Sequence, residues 1–224
     1  MRFARPTVGR VITTAPELVG ELSNMKQMPH LRTWKRMLIQ TRGKQRAETI
    51  TARVQNYYHH LFINRPSVSN HAQSTQLESL ILPGLALYQV MCEEGQNRQE
   101  VFAEVEDLFK AAFFVRLRNL VPLLNYLADP FPVIRVGLRW MTKNAYMTGS
   151  QEVIEDSPQC FAINIHRCFI FDTLQAYGAA ELTVLYCKTD DWLAECLPKV
   201  HWLRTKTLGC GDSYCDFRWC RSRL

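Results

Sequence analysis

Seven of the eight cysteines of this chain lie between Cys160 and Cys220, and Cys92 stands alone. Thiols are strong nucleophiles once deprotonated, and a carboxylate within reach can take or return the proton. Thiols and carboxylates are paired here at three places: Cys168 with Asp172, Cys187 with Asp190 and Asp191, and Cys215 with Asp216. Every such cysteine also has a packing reading, because a buried Cys behaves as a small hydrophobe. Cys210 and Cys215 are spaced as some zinc ligands are, but the tight paired knuckles of structural zinc are absent. The residues call for no metal and no other cofactor.

The elements that must hold these residues change character along the chain. Helical periodicity begins with a short segment around Glu17 to Met28. A long helix-forming stretch follows over Arg32 to Phe62, interruptible at Gly43 and ending before Arg65-Pro66. Ser67 to Ser74 is polar and reads as a loop. Leu77 onward is helical again and stops at Gly95, a residue tolerant of positive φ. In the helix that follows, Val101, Val105, Leu108, Phe109 and Ala112 trace one apolar stripe with Glu100, Glu104 and Asp107 outside it. Val133 to Tyr146 completes this scaffold.

Beyond Pro158 strands appear. Gln159 to Ile165 alternates as a strand does. His166 to Tyr177 has helical spacing and ends at Gly178, and Ala180 to Cys196 is a second helix. Val200 to Leu208 and Tyr214 to Cys220 read as two strands around the turn Gly209-Cys210-Gly211-Asp212. On the first helix Cys168, Asp172 and Gln175 share a face; on the second Val184, Cys187 and Asp191 do, with Asp190 close by. On the last strand Cys215, Phe217 and Trp219 project from one side, and Asp216, Arg218 and Cys220 from the other. The expected fold class is α+β: an N-terminal helical layer packed with a small C-terminal antiparallel sheet of three or four strands and two helices. We expect a single domain over residues 1–224, with a helical extension over 1–74, a helical part over 75–150 and the Cys-rich α+β core over 158–220.

Composition narrows the classes of function. The 224 residues are 47% hydrophobic and 21% charged, which supports a sizeable core. The net charge of +6 suits an anionic small molecule. Its densest basic run, Arg32, Lys35, Arg36, Arg42, Lys44 and Arg46, reads as a solvated helix face, and no interleaved aromatics mark a nucleic-acid surface. Met1 to Glu17 contains no signal-peptide core, and no stretch approaches a spanning helix. The expectation is a soluble cytoplasmic protein with no membrane or nucleic-acid partner and with reduced thiols, not a disulfide framework. The N-terminal helices suit either a pocket cover or a homo-oligomer interface.

Several blocks stand in order: His166-Arg167-Cys168-Phe169-Ile170-Phe171-Asp172, then Tyr177-Gly178-Ala179-Ala180-Glu181-Leu182, then Tyr186-Cys187-Lys188-Thr189-Asp190-Asp191. Arg204-Thr205-Lys206-Thr207-Leu208-Gly209 and Gly211-Asp212-Ser213-Tyr214-Cys215-Asp216-Phe217-Arg218-Trp219 complete the set. This set resembles the L-2-amino-thiazoline-4-carboxylic acid hydrolase family, specifically over 160–219 and more loosely upstream around Leu82 to Tyr88. The resemblance implies a small-molecule hydrolase that opens a cyclic amidine or thiazoline-type carboxylate. It implies Cys215 and Cys168 as candidate nucleophile or thiol partner, and Asp172, Asp190 and Glu181 as acid–base or positioning groups. Arg167 and Arg218 are the implied carboxylate anchors, and Cys187 belongs to the matched pattern. Many members carry His where this chain has Tyr214, and Cys210 and Cys220 lie outside the pattern. Two alternatives therefore stand beside hydrolysis: reuse of the fold for a cyclisation or isomerisation in a biosynthetic pathway, and a non-catalytic binding protein.

Overall fold

The computed structural model describes residues 27–68, 70–94, 97–113, 119–144 and 150–222. By contacts the chain divides into two compact units: one made of the residues up to Val68 with Ser74–Ala112, the other of Ser69–Gln73 with Phe113 onward.

The first unit is helical. Helices α1 (Leu31–Arg42) and α2 (Lys44–Ile63) are separated at Gly43, whose φ of 79° is readily available only to glycine. The long helical stretch read from the sequence is therefore two helices. The polar stretch after Ser67 is not wholly loop: α3 (His71–Gln76) begins there, its first three residues counted with the other unit, with Asn70 Oδ1 accepting from the N–H groups of Ala72 and Gln73. One wide π turn, Leu77–Ile81, then leads into α4 (Leu82–Glu94). Pro83 lies just beyond it and has no N–H to return to the preceding turn. Helix α5 (Arg98–Phe113) buries Val101, Val105, Leu108 and Phe109, as its stripe requires. Trp34 is fully buried and donates from its indole to the Leu108 carbonyl at 2.8 Å. The basic run pairs with acids on the helix surfaces: Lys35 with Glu48 at 3.3 Å, Arg42 with Glu104, and Arg46 with Glu94. The helix expected around Glu17 lies outside the described residues apart from 27–28, which are irregular, and the stop at Gly95 also lies outside them.

The second unit carries the sheet. A 3-10 turn (Val121–Tyr126) and α6 (Phe131–Asn144) precede β1 (Gln151–Asp156) and β2 (Cys160–Ile165). Then come α7 (Phe169–Ala176), a short 3-10 turn (Ala180–Leu182), α8 (Thr183–Glu195), β3 (Val200–Leu203) and β4 (Cys215–Arg221). The strands are ordered β1-β2-β4-β3, all antiparallel. Phe161, Ile163, Ile165, Cys215 and Trp219 form the apolar face and pack with Phe131, Leu197 and Val200. This gives the α+β architecture that the alternation and spacing predict.

Three differences have physical reasons. Strand β1 is polar and largely exposed, so its sequence Gln-Glu-Val-Ile-Glu-Asp carries no apolar alternation. Strand β3 ends at Leu203 rather than Leu208, because Thr205 and Lys206 turn back to bind Asp216. The thiols are not all reduced: Cys160 lies directly opposite Cys220 in the β2–β4 register, and the two are joined as a disulfide. Sixty residues separate them in sequence, so only the sheet register brings them together.

Candidate active site

Three chain segments converge at one end of the sheet. Ile165, the last residue of β2, pairs with Cys215, the first of β4. Three residues beyond Ile165 the chain turns into α7, and Cys168 stands at the N-cap with extended backbone (φ −119°, ψ 118°). Cys187 comes from α8. The turn before β4 closes on this group: the Leu208 N–H donates to Cys215 Sγ at 3.2 Å. Gly209 then passes so close to α8 that a Cβ there would lie 3.0 Å from Thr183 Cγ2 and 3.8 Å from Cys187 Sγ. Glycine at 209 is therefore required by approach rather than by φ.

A buried guanidinium organises the acids. Arg204 is 9% exposed and donates from Nη2 to both Asp191 oxygens, at 2.9 and 3.1 Å. Its Nη1 donates to Asp190 Oδ2 at 3.2 Å and to the Cys187 carbonyl at 3.1 Å. The Trp202 indole donates to Asp191 Oδ1 at 2.8 Å. A planar fork between two adjacent carboxylates suits Arg and not Lys. The last turns of α8 are thus tied to the end of β3.

Burial sets the proton affinities. Desolvation pushes Asp190 up to about 7, opposed by Arg204 and assisted by the neighbouring Asp191. A third of the Asp190 side chain still reaches solvent, which gives the carboxyl a route for proton exchange. Burial also pushes Cys215 up to about 11, against the Leu208 N–H, and the thiol feels Cys168, Arg204 and Asp190. Cys187 is pushed well above an ordinary thiol by burial. Cys168 is raised by burial too, but the N–H groups of Phe171 and Ile170 draw it the other way, toward thiolate. Each of Cys187 and Cys215 senses Cys168, and all three thiols sense Asp190. Among the described residues no three His, Cys, Asp or Glu side chains are placed to hold a metal ion.

The site residues expected from sequence separate into two groups. Cys168, Cys187, Cys215 and Asp190 come together. Asp172, one turn into α7, pairs with the exposed Arg167 at 3.0 Å and is close enough to Cys168 to affect its charge. Arg218 projects from the opposite sheet face and donates to the Ile163 and Phe217 carbonyls and to Asn164 Oδ1, at 2.8–3.0 Å. Tyr214 is held away from Cys215 by Lys206, whose Nζ donates to its hydroxyl at 2.9 Å, and by His166, with ring centroids 5.6 Å apart. Glu181 is exposed in the 3-10 turn before α8. Asp216 also faces away from the thiols and accepts from the Thr205 N–H and hydroxyl and the Lys206 N–H, at 2.5–2.8 Å. Sequence reasoning missed Arg204 and Asp191 as a structural pair. Arg204 left no trace but membership in the ordered blocks, while helical spacing put Asp191 on the Cys187 face.

The second unit thus sets three thiols and the Asp190 carboxyl at one end of a small antiparallel sheet. The model of the L-2-amino-thiazoline-4-carboxylic acid hydrolase family matches residues 74–219, and the chain belongs to that family. No curated protein matches the chain. No solved structure does either. Among the described residues no helix is long and apolar enough to cross a membrane.

Proposed function

We propose that this protein hydrolyses a small cyclic amidine or thiazoline-type carboxylate at the Cys168–Cys215–Asp190 site. The observation that carries the reading is the convergence of three thiols from three chain segments on Asp190, the carboxyl that Arg204 holds.

The electrophile is the ring carbon between nitrogen and sulfur. Cys168 is the better placed attacker, because it is half-buried at a helix N-terminus, whereas Cys215 is buried against Leu208. Burial raises the proton affinity of Cys168, Cys187 and Cys215, so a base must act. Asp190, at about 7, is half ionised there and serves as acceptor and then donor. Cys215 lies about four pK units above Asp190, so moving its proton to that carboxylate costs about 5 kcal/mol. That is a fraction of the ~16 kcal/mol barrier of a typical turnover.

In the first half-reaction the Cys168 sulfur bonds to the ring carbon, and the carbon–sulfur ring bond breaks. The departing ring sulfur receives the proton that Asp190 took. Water then adds to the same carbon, losing a proton to Asp190 that passes to the departing Cys168 sulfur, and a thiazoline gives an N-carbamoyl amino acid with a free thiol. Nothing is oxidised, and one water is consumed. Arg167, at the rim with Asp172, is the anchor for the substrate carboxylate. Arg167 is preferred to Arg218 because Arg218 already donates to the Ile163 and Phe217 carbonyls and to Asn164 Oδ1 on the other face.

The experiment is incubation with L-2-amino-thiazoline-4-carboxylate, followed by release of thiol and by intact-protein mass. Turnover together with a transient adduct of one substrate mass, absent from Cys168→Ser, is the expected result. Full turnover by Cys168→Ser would remove covalent catalysis, and no turnover by the intact chain would remove the hydrolase reading.

A further inference from the structure

Thr183 opens α8, is 1% exposed, and has a side-chain oxygen enclosed without any hydrogen-bond partner. Buried hydroxyls are nearly always paired, so an orphan beside a reactive cluster calls for an occupant. Other helical threonines here show the usual solution: Thr41, Thr49, Thr51 and Thr142 each donate to the carbonyl one turn back, at 2.7–3.3 Å. Thr183 is the first residue of its helix, and Ala179, one turn back, lies outside it with φ −127°. The buried oxygens left open on Asn125 and Gln151 differ, since the amide nitrogens of both residues are bonded.

Its position is specific. Residues 183, 187 and 190 fall on one face of α8, so the hydroxyl precedes Cys187 by one turn and Asp190 by two. Thr183 carbons and Cys187 Sγ both lie against Gly209. Gly209 follows Leu208, whose N–H holds Cys215. Thr183 therefore stands on the Cys187 face of α8 and packs against the turn that holds Cys215.

We infer that Thr183 Oγ1 is a substrate-binding group that accepts a hydrogen bond from an amidine nitrogen of a small cyclic amidine carboxylate held at the thiol–Asp190 site. The inference rests on the proposed hydrolysis and deepens it by assigning the residue that selects the amino-substituted ring. A hydroxyl accepts from an N–H as readily as it donates, and a site built around such a contact discriminates strongly against ligands that lack it.

Thr183→Val keeps the branched shape and removes the hydroxyl, so it leaves no orphan and should not harm folding. The test measures kcat/KM on L-2-amino-thiazoline-4-carboxylate, and the melting temperature, for wild type, Thr183→Val and Thr183→Ser. Thr183→Val is expected to lose about tenfold or more in kcat/KM while melting at or above the wild-type temperature. Thr183→Ser is expected to stay within about threefold of wild type. Unchanged kcat/KM in Thr183→Val would overturn the inference while leaving the hydrolase reading intact. Activity loss accompanied by a lower melting temperature would also overturn it, by assigning the hydroxyl a structural role. A wild type that neither turns the compound over nor melts higher in its presence would overturn the hydrolase reading, and this inference with it.

Discussion

The Arg204 guanidinium reaches Asp190 Oδ2 at 3.2 Å while its other nitrogen spans both oxygens of Asp191. One cation thus fixes the α8 carboxyl that faces the thiols and restrains its rise in proton affinity. Arg204→Met leaves Asp190 beside Asp191 with nothing to oppose burial, so the Asp190 proton affinity rises. The rising limb of the pH–rate profile should move to higher pH. Stability should fall by on the order of 2 kcal/mol, less than for a fully enclosed pair because Asp191 is 42% exposed. Rates across pH and urea melts of the same variant read both effects.

Asp190 also gives stability a pH dependence with a definite sign. Its folded value of about 7 lies above the ordinary carboxyl value, so the folded state holds the proton more tightly than the unfolded chain. The contribution is fully present below about pH 4 and is lost as pH rises through about 7. Asp216 runs the opposite way. Burial pushes it up, but the Thr205 hydroxyl and the Lys206 and Thr205 N–H groups outweigh burial and lower it, so its contribution is lost as pH falls into the acid range. Urea midpoints from pH 4 to 8 should decline more for wild type than for Asp190→Asn.

Thiol labelling at neutral pH should follow burial. Cys210 is exposed and should react with iodoacetamide first. Cys215 and Cys187, raised by burial, should react last and accelerate only in alkaline solution. Peptide mapping of a time course checks the order; early modification of Cys215 would show a thiolate that burial forbids.

How much of this was legible in sequence follows from which interactions are local. The apolar stripe of α5 and the break at Gly43 are local and could be read. So could the strand that became β2, although all its residues but Asn164 are buried and burial does not follow the alternation. Strand β1 could not, since none of its six residues is buried. The site was half legible. Helical spacing pairs Cys168 with Asp172, whereas in the tertiary structure Asp172 also pairs with Arg167, and Asp190, named from the resemblance, approaches Cys168 from the next helix. Arg204 lies on no periodic face, and its importance comes from being 9% exposed between two carboxylates, which spacing does not encode. The Cys160–Cys220 bond likewise follows from strand register alone.

Gly209→Ala probes the closeness of the turn and α8. The new Cβ would meet Thr183 3.0 Å away, which the buried β-branched side chain cannot readily yield. Stability should fall by about 1–3 kcal/mol, and activity more than the melting temperature alone accounts for. Chemical denaturation beside steady-state rates separates the two.

The most direct measurement is the rate of L-2-amino-thiazoline-4-carboxylate hydrolysis by wild type and by the near-isosteric Asp190→Asn. Removal of the acid–base group should cost about 100-fold or more in kcat with the fold retained. Hydrolysis by Asp190→Asn at the wild-type rate would contradict the account.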